Sequence, residues 1–142
     1  RTKTESGGED TRAYHSSGVD SPEGPAYGGM PNGMVVASEG VAALYHAGDT
    51  DVFSDMALIA RLFEPKVCIL PIGDRFTMGA KGAAIAAELL NPAAIIPCHY
   101  KTFPLLAQST DAFRTALPEH LRKRLHAVEV GQTVPWTVSG IG

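Results

Sequence analysis

Val67-Cys68-Ile69-Leu70, then Gly79-Ala80-Lys81-Gly82-Ala83-Ala84-Ile85-Ala86-Ala87-Glu88-Leu89-Leu90, then Ala94-Ile95-Ile96-Pro97 is the stretch that decides the fold class. The two outer segments are short apolar runs of strand length, and their uninterrupted apolar character is that of strands buried on both faces. The Ala-rich middle, with Ile85, Leu89 and Leu90 as its larger apolar residues and Asn91-Pro92 as a stop, predicts a helix over residues 79–90. Strands alternating with helices predict an α/β layered fold.

The residues upstream extend this pattern. Met34-Val35-Val36-Ala37-Ser38, the turn pair Glu39-Gly40, and Val41-Ala42-Ala43-Leu44-Tyr45-His46 predict a hairpin, which makes the sheet mixed. The second strand runs out at Ala47-Gly48-Asp49-Thr50. Ser54 is the expected N-cap of a helix whose apolar positions Met56, Leu58, Ile59, Leu62 and Phe63 mark a buried face, closed by Pro65. Between Ser16 and Gly33, five glycines (18, 24, 28, 29, 33) and three prolines (22, 25, 31) exclude a long helix or strand and predict a structured loop. Residues 1–12 are polar and aperiodic and are expected to be a flexible or truncated lead-in to a domain over 13–142. Downstream, helices are expected over 110–117 and 118–125 and strands over 126–130 and 133–138.

Composition limits the function classes. The chain has 142 residues, 44% of them hydrophobic and 19% charged, within the range of an ordinary globular domain. A net charge of −3 provides no basic face for nucleic acid or an anionic membrane, so a small-molecule or protein partner is expected. Two cysteines, Cys68 in an apolar run and Cys98 beside His99, are too few for a disulfide framework, and a reducing cytoplasm is the expected compartment. No stretch has the roughly 18 consecutive apolar residues of a membrane span, and the N-terminus lacks a signal-peptide core. Arg1 in place of Met is expected of a chain cut from a longer one.

Three residues stand in similar settings: His15 opens the Gly/Pro loop, while Asp49 and His99 each follow a strand. Strand ends and the loops after them converge on one rim of a layered domain, and imidazole and carboxylate are donors that a catalytic zinc accepts. Singly each is weak evidence, since most lone histidines are merely solvated or packed and an Asp before Thr often caps a turn.

Taken together, the neighbouring strings carry more. His15-Ser16-Ser17-Gly18, Tyr45-His46-Ala47-Gly48-Asp49-Thr50, Leu70-Pro71-Ile72-Gly73-Asp74-Arg75-Phe76-Thr77-Met78-Gly79 and Pro97-Cys98-His99-Tyr100-Lys101-Thr102-Phe103-Pro104 resemble, in order, the later motifs of the metallo-β-lactamase superfamily. The branch most similar is the UPF0173-type hydrolases, related to the ascorbate-6-phosphate lactonases. The resemblance implies the C-terminal half of an αββα sandwich, a mixed sheet covered by helices. It implies a metal-dependent hydrolase with two divalent ions, zinc first and manganese or nickel next, using a metal-bound hydroxide on an ester, lactone or phosphoester. By it, His15 is a histidine of the first metal site, Asp49 the carboxylate bridging both ions, and His99 the closing ligand of the second.

The chain departs from the pattern in one respect. Relatives carry an earlier His-x-His-x-Asp-His motif supplying four ligands, and the remaining histidines here, His46, His120 and His126, do not have that spacing. The resemblance therefore implies an N-terminal half on another chain or on a missing segment. The competing reading is a non-catalytic fragment or pseudoenzyme that associates with itself or a partner, and an oligomer is expected under either. Around the three ligands, His46 is a candidate to orient Asp49, Thr77 to line the rim or cap the following helix, and Tyr100 and Lys101 to meet a substrate anion. Each has an equally plain structural role. The Pro71–Gly79 loop lacks the Gly-x-x-x-x-Gly-Lys-Ser/Thr phosphate pattern, and Arg122-Lys123-Arg124 with His120 read best as positive charge at a helix C-terminus. Cys98 is expected to face away from His99, and a Ser16 or Ser17 nucleophile has no elbow motif to support it.

Overall fold

The computed structural model describes residues 7–137 and 140–141. In chain order the elements are β1 (Gly8–Arg12), β2 (Gly18–Ser21), β3 (Gly24–Tyr27), β4 (Asn32–Val36), β5 (Leu44–His46), α1 (Met56–Phe63), β6 (Val67–Pro71), α2 (Ala80–Leu90), β7 (Ala94–Cys98), α3 (Asp111–Ala116), α4 (Glu119–Arg122), β8 (Trp136–Thr137) and β9 (Gly140–Ile141). One mixed sheet has the order β1-β4-β5-β6-β7; its first three strands are antiparallel and its last three parallel. The α/β class and the mixed sheet expected from the sequence are both present.

Register explains how the core is divided. Val35, Tyr45, Cys68 and Ile95 stand opposite one another across four strands. With Leu70 they project onto the helices, into a core shared with Met56, Ile59, Ala83, Ala86, Ala87, Phe113 and Leu121. Ala83, Ala84, Ala86 and Ala87, with Leu90, are the buried positions of α2, and the small size of the alanines lets the helix lie close over the sheet. The alternate residues form the second face. There Val67 and Ala94 are buried, Val36, Leu44, Ile69 and Ile96 are half-buried, and Met34 is 45% exposed.

Several local expectations are corrected. Gly8–Arg12, expected as part of a flexible lead-in, pairs with β4 as the edge strand; Gly-Glu-Asp-Thr-Arg has no apolar alternation to announce it. Residues 1–6 of that lead-in lie outside the described residues. The Gly/Pro loop contains the short hairpin β2–β3, turned at Pro22-Glu23. The turn between β4 and β5 spans residues 37–43 rather than the Glu39-Gly40 pair. Asp55, not Ser54, is the N-cap of α1, and it makes no side-chain cap bond. Leu58 and Leu62 are exposed, because at about 100° per residue they fall on the side of the helix away from Met56, Ile59 and Phe63. The strand expected over 126–130 is reduced to a single bridge between Leu125 and Ile95, and the last expected strand to Trp136–Thr137.

Candidate metal centre

Asp49 and His99 come together at the ends of parallel strands: β5 continues through Ala47 and Gly48 to Asp49, and β7 ends one residue before His99. His99 Nε2 lies 3.7 Å from Asp49 Oδ2, too far for a hydrogen bond. The sequence brings the ring there through an unusual backbone. His99 has φ 53°, in the left-handed region, and Lys101 repeats this at 66°. Non-glycine residues enter that region at a cost and concentrate at functional sites. The turn also requires a glycine beneath it: a Cβ on Gly73 would stand 2.2 Å from the His99 carbonyl oxygen and 2.8 Å from its Nδ1.

His15 lines the same cleft, of about 550 Å³, with Asp49, Thr77 and His99. Thr50 ties its segment down. Buried completely, Thr50 accepts the Tyr14 N–H at Oγ1 (2.7 Å) and donates to the Asp51 carbonyl (2.7 Å), while the Asp51 N–H returns to the Tyr14 carbonyl (3.0 Å). The Thr50 carbonyl accepts the Met78 N–H at 3.0 Å, which fixes the 74–78 loop to the same residue. His15 Nδ1 meets the Ser16 carbonyl. A carbonyl only accepts, so Nδ1 is the donor in that contact and Nε2 is the ring nitrogen left for a ligand role.

His46 acts one step removed. Its Nδ1 accepts the Gly48 N–H at 3.0 Å, so it holds the residue before Asp49 and does not contact the carboxylate by hydrogen bond. Burial lowers its pKa, against the opposing pull of Asp49, in keeping with a neutral ring whose Nδ1 is an acceptor. Thr77 reaches the cleft, but the N-cap of α2 is Gly79, correcting the capping expectation. Its buried Oγ1 has no hydrogen-bond partner. Tyr100 and Lys101 do not line that cleft but a second cavity on the other side of His99, which His99 lines too, with Val128 and Glu129. Missed from the sequence were Tyr14, Asp51, Asp74, Arg75 and Phe76, all in the cleft wall; the last three sit in a quoted motif, but only the fold shows which way the loop turns.

Two bland readings are supported by contacts. Asp74 Oδ1 lies so close to Gly79 that a Cβ there would meet it at 2.2 Å, so a carboxylate already stands at the mouth of α2 where a phosphate cradle would need room. Arg122 donates to the carbonyls of Leu117 and Thr115 at the end of α3, which need donors, and Arg124 to the Pro92 carbonyl and the Asn91 side chain just after α2.

The donor set fits a share of a metal site. Two ligands on one tetrahedral ion, each about 2.1 Å from it, stand roughly 3.4 Å apart, close to the separation of Nε2 and Oδ2. His99 Nδ1 is buried without a partner, a cost of about 1–3 kcal/mol that a ring held only for packing has no reason to bear. Asp49 is half-exposed at 53%, open to the cleft. Among the described residues no group of three His, Cys, Asp or Glu side chains is close enough to hold an ion alone.

Comparison with known proteins identifies the family of this fold. Residues 4–99 match the model of the beta-lactamase superfamily domain. A UPF0173 metal-dependent hydrolase of Azorhizobium caulinodans is 51% identical over 113 residues, 79% of this chain and 48% of that protein. One from Methanosarcina barkeri is 41% identical over 124 residues, 87% and 54%. The chain thus spans about half the length of the curated relatives it matches. Among solved structures, Igni18, a metallo hydrolase from Ignicoccus hospitalis, superposes with a TM-score of 0.75 at 35% identity, over 90% of this chain and 52% of that one. An isothiocyanate hydrolase from Delia radicum gut bacteria (TM-score 0.68, 19% identity, 92% and 55% covered) shares the fold. The later motifs, the mixed sheet under its helices and the match over residues 4–99 together establish that the chain belongs to the beta-lactamase superfamily domain family, with UPF0173 proteins among its relatives.

Proposed function

We propose that this chain carries His15, Asp49 and His99 of a two-metal centre in a hydrolase acting on an ester, lactone or phosphoester. The observation that carries the reading is the 3.7 Å approach of His99 Nε2 to Asp49 Oδ2 in a cleft that His15 also lines. Relatives at 51% and 41% identity bear the name metal-dependent hydrolase, which supports it. The other ligands would come from a His-x-His-x-Asp-His segment outside these residues, on another chain or another part of the same protein.

Bound divalent ions, zinc first among them, would supply Lewis-acid polarisation of the scissile bond and a water nucleophile at neutral pH. This chain's residues do the positioning. Asp49 would offer its carboxylate to the ions as a shared counter-charge, and His15 and His99 would offer ring nitrogens, the first with its Nδ1 already engaged by the Ser16 carbonyl. His46 fixes the backbone before Asp49. Hydrolysis breaks one C–O or P–O bond: the water hydroxyl goes to carbon or phosphorus and its proton to the leaving oxygen.

Elemental analysis of the full-length protein tests the reading. About two zinc, manganese or nickel ions per molecule are expected, and a protein that retains none after purification in metal-supplemented buffer would overturn it. A second reading, association without catalysis, draws on the half-buried second face with Met34, Val36, Leu44, Ile69 and Ile96. Light scattering that finds only a 15.0 kDa monomer of this chain would count against it.

A further inference from the structure

Two phenylalanines stand half in water, Phe76 in the cleft wall and Phe103 against it. Phe76 is 52% exposed and Phe103 48% exposed, and their rings meet edge to face with centroids 6.4 Å apart. Phe76 is itself part of the cleft wall that holds His15, Asp49 and His99. Their loops are braced, so the exposure does not come from slack chain. On one side the Asp74 N–H bonds to the Met78 carbonyl and the Met78 N–H to Thr50. On the other, the Phe103 carbonyl accepts from the Leu106 N–H and the Gln108 side chain, and the Ala107 N–H reaches across to Gly73. A braced aromatic pair left open to water beside a polar site presents an apolar surface of fixed shape.

We infer that Phe76 and Phe103 form an aromatic subsite that takes the apolar, phenyl-sized group of the substrate while the scissile bond lies over Asp49 and His99. The inference rests on the hydrolase reading for the position of that bond, and it names the substrate class as esters with an aromatic or bulky apolar substituent. Ring edges and faces favour another ring over a small alkyl group, and the contact excludes water from one side of the cleft.

The test uses the full-length, zinc-loaded protein with benzyl acetate and ethyl acetate, whose leaving alcohols are of similar acidity, so that their rate ratio reports binding. The benzyl-to-ethyl ratio of kcat/KM is expected to fall about tenfold in Phe76→Ala and in Phe103→Ala, the size of discrimination that apolar pockets supply. Phe76→Trp, which keeps an aromatic face, should restore most of it. A ratio unchanged in both alanine variants overturns the subsite while metal-dependent turnover leaves the hydrolase reading standing. Calorimetry with benzylphosphonate against ethylphosphonate separates the opposite case. If neither ester is cleaved but the benzyl compound binds more tightly and loses that advantage in Phe76→Ala, the subsite stands and the carboxylic-ester part of the hydrolase reading falls. No cleavage and no benzyl preference defeats the subsite.

Discussion

Replacing Thr50 by Val removes one hydroxyl and keeps the shape of the side chain. In the structure that hydroxyl makes two hydrogen bonds of 2.7 Å, from the Tyr14 N–H and to the Asp51 carbonyl, at a fully buried residue. Each bond contributes about 1 kcal/mol net, and an orphaned donor adds its own penalty, so Thr50→Val should lose about 2–3 kcal/mol. That is a large fraction of a domain's usual 5–15 kcal/mol. Urea unfolding measures it as a lowered midpoint at constant slope. Thr50→Ser keeps the hydroxyl and should recover most of the loss. Because the lost bond anchors the residue before His15, Tyr14 amide exchange should quicken in Thr50→Val more than exchange in β6 or α2. If Thr50→Val is as stable as the parent, or Thr50→Ser falls as far as Thr50→Val, the methyl packing and not the hydroxyl organises the site, and the account of how His15 is held fails.

Other consequences are equally direct. Asp49→Ala in the full-length protein should lose one or both metals with the far-ultraviolet circular dichroism preserved, since a half-exposed carboxylate holds no core contact; unchanged metal content would remove its bridging role. Burial pushes the Tyr45 hydroxyl up to about 12, with Thr11 beside it offsetting part of the effect although neither hydroxyl makes a hydrogen bond of normal geometry. The neutral form is therefore favoured by folding, and the stability this contributes is complete below the unfolded value near 10 and is lost as pH rises from about 10 to 12. Tyr45→Phe should flatten that part of a pH–stability curve. Cys68 is fully buried and its thiol is raised further still by desolvation, so it should react with an aromatic disulfide reagent only in denaturant, and labelling at the native rate of a free thiol would contradict its placement.

The strands and helices that carry the fold were legible because their apolar runs are uninterrupted. Val67–Leu70 and Ala94–Pro97 are buried on both sides or nearly so, and no polar alternation blurs them. β1 was illegible for the opposite reason: it is an edge strand of polar residues whose pairing partner, β4, supplies the only pattern. Among the candidate ligands, Asp49 and His99 were readable as residues following strands and His15 as the start of the Gly/Pro loop, whereas the bracing residues Thr50 and Asp51 were not. Their role is to bond to Tyr14, a contact between distant segments that leaves no local period. Tyr100 and Lys101 were placed by adjacency to His99, and with the left-handed turns at His99 and Lys101 they line a second cavity that shares His99 with the cleft.

The hydrogen atom that stands in for a side chain at Gly73 gives position 73 a use as a marker. Any larger residue there would push into the carbonyl and ring of His99, so a protein with these motifs and a side chain at this position cannot seat its histidine as this one does. A survey of genomes could therefore separate sites that keep this seat from those that have lost it on one letter, even where every candidate ligand is still spelled out.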